Sequence, residues 1–252
     1  MKNKNNRQKN RKKIVPFIFF LTIILLGAVI IKTDIFYIKE IIVQENSKLS
    51  KDYIVDATDI TRDDNIFLVE LKELKKKLEG EIYIESVDIG RKLPDKLVIN
   101  VKERKGKISY NYNLKKYLLD FHGVVLEKIE KDGDLFIIES ELETNIILGE
   151  IIYFKDKDIE FSKILYLSEY IYENNRNLDC NILIKNDNIY CIIEKDTYVK
   201  FNQAENLRYQ YEFGIDIIEK RTNEGLDING VIDFTKGDNP IYIDFKDLEE
   251  EI

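Results

Sequence analysis

The chain has 252 residues, a formal net charge of −8, 44% hydrophobic residues and a single histidine. That length allows one large or two small folded units beyond any tail. The acidic balance disfavours nucleic acid as a ligand, and one histidine cannot by itself supply a zinc site of three or four ligands.

Residues 1–13 carry Lys2, Lys4, Arg7, Lys9, Arg11, Lys12 and Lys13 with no acidic residue and no apolar run, so this tail is expected to stay unfolded. Ile14 to Ile31 then reads IVPFIFFLTIILLGAVII, without a charge. As a helix, roughly 18 residues cover about 27 Å, close to the hydrocarbon thickness of a bilayer. The stretch is apolar all round, with Ile14, Phe17, Leu21, Leu25 and Ile31 spread along it, whereas a core helix would be amphipathic. It is also longer than the apolar region of a signal peptide, and no small-residue cleavage pattern completes Gly27-Ala28. A transmembrane helix over 14–31 is therefore expected, and the basic tail keeps the N-terminus cytoplasmic and sends residues 32–252 outside. Setting aside the seven basic residues of the tail takes the net charge of the remainder from −8 to −15. Such an exterior is a poor match for anionic wall polymers and phospholipid head groups, which leaves proteins, or no partner at all, as the expectation.

From Ile35 to Val43 apolar residues alternate, which predicts a strand starting close to the membrane. Ser50 is a candidate N-cap for a short helix through Tyr53, Ile54 and Ala57, and a second helix places Leu71, Leu74 and Leu78 on one face before Gly80. Alternating runs at Ile82 to Ile89 and Leu97 to Val101, joined across Arg91-Lys92-Leu93-Pro94-Asp95, complete a β-α-α-β-β unit in two layers.

Beyond it, Lys116 to Leu119 and Val124 to Glu127 bracket a turn at Asp120-Phe121-His122-Gly123, and Leu135 to Ile138 adds a strand. A helix with Phe161, Ile164, Leu165, Ile171 and Tyr172 follows, then a hairpin of Asn181 to Lys185 and Asn188 to Glu194 over Asn186-Asp187. In that register Cys180 and Cys191 sit diagonally about 7 Å apart, beyond normal disulfide reach, and are expected as two small buried hydrophobes. Tyr198 to Phe201, a helix carrying Ala204, Leu207, Tyr211, Ile215 and Ile218, and strands at Val231 to Phe234 and Ile241 to Ile243 end the fold. The fold class is thus α+β: one membrane helix, a small β-α-α-β-β domain and a larger β-rich domain with two helices.

Asn65-Ile66-Phe67, Leu71-x-x-Leu74-x-x-x-Leu78, Ile84-Glu85-Ser86-Val87 and the stretch from Arg91-x-Leu93-Pro94-Asp95 to Glu103-Arg104 resemble the POTRA module of the FtsQ/DivIB cell-division family. The later strand-helix-strand order, closing on Ile232-Asp233-Phe234, resembles that family's β domain, with Thr235 where an arginine is usual. The resemblance implies five regions: a cytoplasmic tail at 1–13, a span at 14–31, a POTRA-like domain at 35–104, a β domain at 107–245 and an acidic tail at 246–252. It also implies a non-catalytic, single-pass scaffold of the cell membrane at the division septum. Its expected partners are FtsB/DivIC-like and FtsL-like proteins and, indirectly, the septal peptidoglycan synthase, with no cofactor and no small-molecule substrate.

The residues contain no Gly-x-Ser-x-Gly, His-Glu-x-x-His, phosphate-cradling glycine loop or Ser-x-x-Lys. Glu139, Glu141 and Glu143 alternate in an expected turn and read as a solvated face. The competing class is a membrane-anchored, wall-acting enzyme with the POTRA-like module as spacer, which would need two carboxyls facing each other across a sugar cleft. For the scaffold, the resemblance points to docking on the C-terminal part of the β domain, at Val231, Ile232, Phe234, Lys236, Ile241, Tyr242 and Ile243. The physical reason is that a last strand has no successor to cover its edge. Lys236, Asp238 and Pro240 punctuate that edge, and Tyr242, expected to point away from the core by alternation, is the sharper probe of contact.

Overall fold

The computed structural model describes residues 15–25, 27, 33–155, 159–174, 180–193, 196–237 and 239–247. Residues 15–25 form a helix, α1, whose Thr22 hydroxyl donates to the Ile18 carbonyl. Among the described residues no helix is long and apolar enough to cross a membrane. Of the residues assigned to the span, Phe17, Leu21 and Leu25 lie in α1, whereas Ile14 and Ile31 fall outside the described residues, as does the basic tail.

After Glu103 the chain divides into two compact units. The first runs β1 (Glu40–Gln44), α2 (Lys51–Thr58), α3 (Leu71–Leu78), β2 (Ile84–Lys92) and β3 (Lys96–Glu103), with sheet order β1-β3-β2. The expected β-α-α-β-β order is observed, with one correction at its start. Asp34–Phe36 is a turn of 3-10 helix, and the strand begins only at Glu40, where pairing with Lys96 becomes available. Ser50 caps α2 by accepting from the Tyr53 amide, and Ile54, Leu74 and Leu78 are buried against Ile84, Val87, Ile99 and Val101. Spacing of three and four residues puts those leucines on one helical stripe, and the lysines between them face solvent.

Glu103 explains why β3 ends in an acid. Its carboxylate accepts from the amides of Ser47, Lys48 and Leu49 and from the Ser47 hydroxyl, at 2.6–3.0 Å. Burial alone would push this carboxyl up, but the four donors prevail and hold it down at about 2. The loop from β1 to α2 is thereby tied to the last strand of the unit.

The second unit contains a nine-stranded mixed sheet. Its strands are β4 (Ile108–Tyr112), β5 (Lys115–Leu119), β6 (Val125–Ile129), β7 (Phe136–Ser140), β10 (Cys180–Lys185), β11 (Asn188–Ile193), β12 (Thr197–Phe201), β13 (Gly230–Asp233) and β14 (Ile241–Asp244). Their spatial order is β14-β13-β12-β11-β10-β7-β4-β5-β6, and a separate pair, β8 (Thr144–Asn145) with β9 (Tyr153–Phe154), stands apart. α4 (Phe161–Asn174) and α5 (Leu207–Asn223) share one core with a single face of the sheet, formed by Tyr110, Ile138, Ile182, Cys191, Val199 and Ile232. Phe161 packs edge-on against Tyr110 and Phe154 there, at ring separations of 5.6 and 5.1 Å.

Three expectations change in this unit. Cys180 and Cys191 are joined as a disulfide: the hairpin register is the diagonal one expected, but a Cα separation of 6.6 Å lies just inside the span a disulfide bridges. Glu139 belongs to β7 rather than to a turn, while Glu141 and Glu143 reach Lys185 and Lys155 as surface ion pairs. β4, absent from the elements expected, is the central partner of both β5 and β7.

Candidate partner-binding edge

β14 pairs antiparallel with β13 in the register Val231 to Ile243, Ile232 to Tyr242 and Asp233 to Ile241. On its other side no strand follows among the described residues, so it is one of the two margins of the sheet. β13 itself is interior, held between β12 and β14. Of the expected contact residues, Val231, Ile232 and Phe234 are therefore buried and not on the edge. Ile232 lies in the core, and the Phe234 ring packs 6.1 Å from that of Phe213 of α5. Only Ile241, Tyr242 and Ile243 stand on the margin, with Lys236 exposed in the connection before it; Asp238 lies outside the described residues.

Tyr242 faces opposite to the expected side. Because it pairs with Ile232, alternation directs it to the helix-covered face, where it packs against the core. The Arg221 guanidinium of α5 stacks 3.5 Å from the ring centre, and the same guanidinium donates twice to the Asp227 carbonyl. A Cβ at Gly230 would come within 2.3 Å of the Ile243 carbonyl oxygen and 2.9 Å of Oη of Tyr242, so the ring occupies the space a side chain at 230 would take. Burial pushes the Tyr242 phenol up from its ordinary value. Tyr242 thus pins β14 to the domain, and the side chains left for contact from the open face are Ile241, 46% exposed, and half-buried Ile243.

Phe245 fixes the far end of the strand. Its ring meets Tyr198 edge-on at 5.5 Å, and its amide donates to Asn229 O at 3.3 Å. Lys246 beside it bridges Asp227 and Asp244. The role of Phe245 follows from no spacing rule, because its partner is 47 residues away in sequence. The missed signal was nearer at hand: Val231-Ile232-Asp233-Phe234 is a nearly continuous apolar run, which marks a strand covered on both faces.

His122 is exposed in the turn between β5 and β6. Asp120, buried, accepts from the His122 and Val124 amides and pairs with Arg104 at 2.9 Å. Among the described residues no group of three His, Cys, Asp or Glu side chains is placed to hold a metal ion.

A model of the FtsQ-type POTRA domain matches residues 36–104. The chain is 29% identical over 205 residues to cell division protein DivIB of Clostridium tetani, covering 76% of this chain and 77% of the relative. It is 27% identical over 261 residues to DivIB of Clostridium botulinum strain Hall, covering 96% and 94%. A shorter match, 32% over 108 residues, reaches cell division protein FtsQ of Syntrophotalea carbinolica and covers 43% and 38%. With an FtsQ-type POTRA fold in its first unit and DivIB relatives aligned along nearly its whole length, the chain belongs to the FtsQ/DivIB family of cell-division proteins.

Proposed function

We propose that this chain is a non-catalytic scaffold of the division septum that captures a partner strand on the free margin of β14. In this reading residues 1–13 are a cytoplasmic tail, 14–31 the single span, 35–104 the POTRA domain, 107–245 the β domain and 246–252 an acidic tail, with the C-terminus outside. The partners are FtsB/DivIC-like and FtsL-like proteins, and through them the septal peptidoglycan synthase. The observation that supports it most is a sheet margin that is apolar, firmly held from behind by Tyr242 and Arg221, and without a further strand in front among the described residues. An added strand gains main-chain hydrogen bonds from the margin and specificity from alternate side chains. Lys236 contributes a charge beside the entry to that strand.

Two experiments test the reading. A fluorescent fusion should form a band at midcell in dividing cells; a uniform membrane signal throughout the cycle contradicts it. A reporter joined after Ile252 should be active only outside the cytoplasm, and cytoplasmic activity sinks the topology.

A further inference from the structure

Four large apolar side chains crowd one end of the first unit while remaining in contact with solvent: Ile35 is 58% exposed, Phe67 42%, Leu68 63% and Leu93 56%. They converge because the segment 36–38 lies along 64–66. Tyr37 bridges Asn65, the Ile66 amide donates to Phe36 O at 2.8 Å, and the Phe36 and Phe67 rings stand 5.1 Å apart. Leu93 lies in the β2–β3 turn at the same end, where Asp95 O accepts from the Lys39 amide and Arg91 reaches the Ile66 and Val69 carbonyls. An apolar cluster of this kind, on a unit that buries Leu74, Leu78 and Leu97 in its core, marks a contact surface.

We infer that this tip rests in the interfacial layer of the bilayer's outer leaflet, so that the POTRA unit is a membrane-seated module rather than a free-standing one. The inference rests on residues 14–31 being the span. Ile35 is only four residues beyond Ile31, so even a fully extended tether holds the tip within about 14 Å of the end of the apolar run. The head-group layer on each side of the hydrocarbon is itself several ångströms deep, about 5 to 8 Å.

The backbone of the tip also suits contact with lipid. An amide or carbonyl facing hydrocarbon without a partner is costly. Here the Phe67 amide donates to Oδ1 of Asn65 and the Leu68 and Val69 amides to the Asn65 carbonyl, while Arg91 occupies the carbonyls of Ile66 and Val69. The turn thus presents two apolar side chains while its amides at 67–69 and its carbonyls at 65, 66 and 69 are bonded within the unit. Charges around it are mixed: Asp34, Asp63, Asp64 and Asp95 against Lys39, Arg62 and Lys92. The attraction is therefore apolar, so the long-range repulsion expected between an acidic exterior and anionic head groups does not oppose it on zwitterionic lipid, and it changes little with salt.

The test uses the full chain in nanodiscs of zwitterionic lipid, carrying an environment-sensitive nitrobenzoxadiazole label on a cysteine introduced at one position at a time. Cys180 and Cys191 are paired and leave the background unlabelled. Leu68→Cys probes the tip, Leu21→Cys the span, and Lys102→Cys the opposite end of β3, about 20 Å along the strand from its tip-side start. The label at 68 should shift to the blue, lose much of its emission to lipids bearing a doxyl group high on the acyl chain, and resist aqueous iodide. The label at 102 should behave in the reverse manner, and the label at 21 should be quenched most by deep doxyl groups. A label at 68 that iodide quenches as fully as the one at 102, with 21 still lipid-quenched, overturns the seating and leaves the span intact. Protection of 68 from iodide without quenching by lipid overturns it too, since a second copy of the chain would then cover the tip. A label at 21 out of reach of doxyl lipid removes the span, and this inference with it.

Discussion

The nine-stranded sheet has two margins, and the protein treats them differently. Along β6 the outer groups are engaged: the Val125 amide donates to Glu150 O at 3.0 Å, Gly149 N donates to Val125 O at 2.8 Å, and Val124 bridges Ile151. Where that cover ends, Glu127 and Lys128 carry the strand on with charge. β14 has no such cover among the described residues and presents Ile241-Tyr242-Ile243. Proteins usually blunt an edge with cover, charge, proline or brevity. One margin here follows that rule along its length, and the other follows it only at its ends, with Pro240 before and Asp244 after the apolar triplet. An edge left open among the described residues between two guards, and braced from behind by a stacked tyrosine, is what the proposed strand capture requires.

The largest effect expected from breaking this difference comes from Gly230. In Gly230→Val the new side chain collides with the Ile243 backbone and the Tyr242 ring, which should detach β14 and cost about 3 kcal/mol in the second unit. Partner binding should fall to background in a pull-down, while circular dichroism keeps the strand and helix signature. The matching change near the covered margin is Gly123→Ala, where φ is +82° and the added Cβ meets Leu165 at 2.8 Å. It should cost about 1–3 kcal/mol through backbone strain and leave binding as in the parent. Loss of binding in both variants would make the two margins equivalent.

A smaller effect separates the margins from the first unit. Glu103 has its carboxyl lowered to about 2 in the folded chain against 4.5 when unperturbed, so the stability it confers is complete above pH 4.5 and disappears as pH falls through 2. On the order of 2–3 kcal/mol should be lost over that window in urea melts. Glu103→Gln should be less stable at neutral pH, by roughly 1–3 kcal/mol, and should lack this acid-sensitive component. Glu103→Gln should leave binding at β14 unaltered at neutral pH. Next in size is Arg221→Ala, which removes the stack on Tyr242 and two donors to Asp227 and should cost about 1–2 kcal/mol. Arg221→Lys should recover little of this, because an ammonium cannot stack as a plane. A melt of Arg221→Ala that matches the parent would mean β14 is not held from behind.

Short-range patterns carried most of the first unit. Leu71, Leu74 and Leu78 define a helical face by spacing alone, Ser50 announces its own helix, and the run from Ile84 to Glu103 forms a hairpin within one stretch of chain. Readings that required distant partners failed. The side taken by Tyr242 depends on its register with Ile232 and on an arginine 21 residues earlier, and the interior place of β13 depends on β12 lying alongside it in parallel. The disulfide turned on a few tenths of an ångström between an ideal diagonal and the twisted hairpin. β4 escaped notice because Ser109 and Asn111 interrupt it, although Ile108, Tyr110 and Tyr112 share one parity and the first two are fully buried.

The smallest structural change offers the most direct test of the open margin. Ile241 is a surface residue, nearly half exposed, so Ile241→Lys should shift stability by no more than about 0.5 kcal/mol. The same holds for Glu127→Lys on the exposed side of β6. Affinity of the full-length chain and each variant for the exterior segment of the FtsB/DivIC-like partner would be measured side by side. Ile241→Lys is expected to weaken binding about tenfold or more, equivalent to 1.4 kcal/mol, with Glu127→Lys unchanged. Parental affinity in a folded Ile241→Lys protein would contradict strand capture at β14.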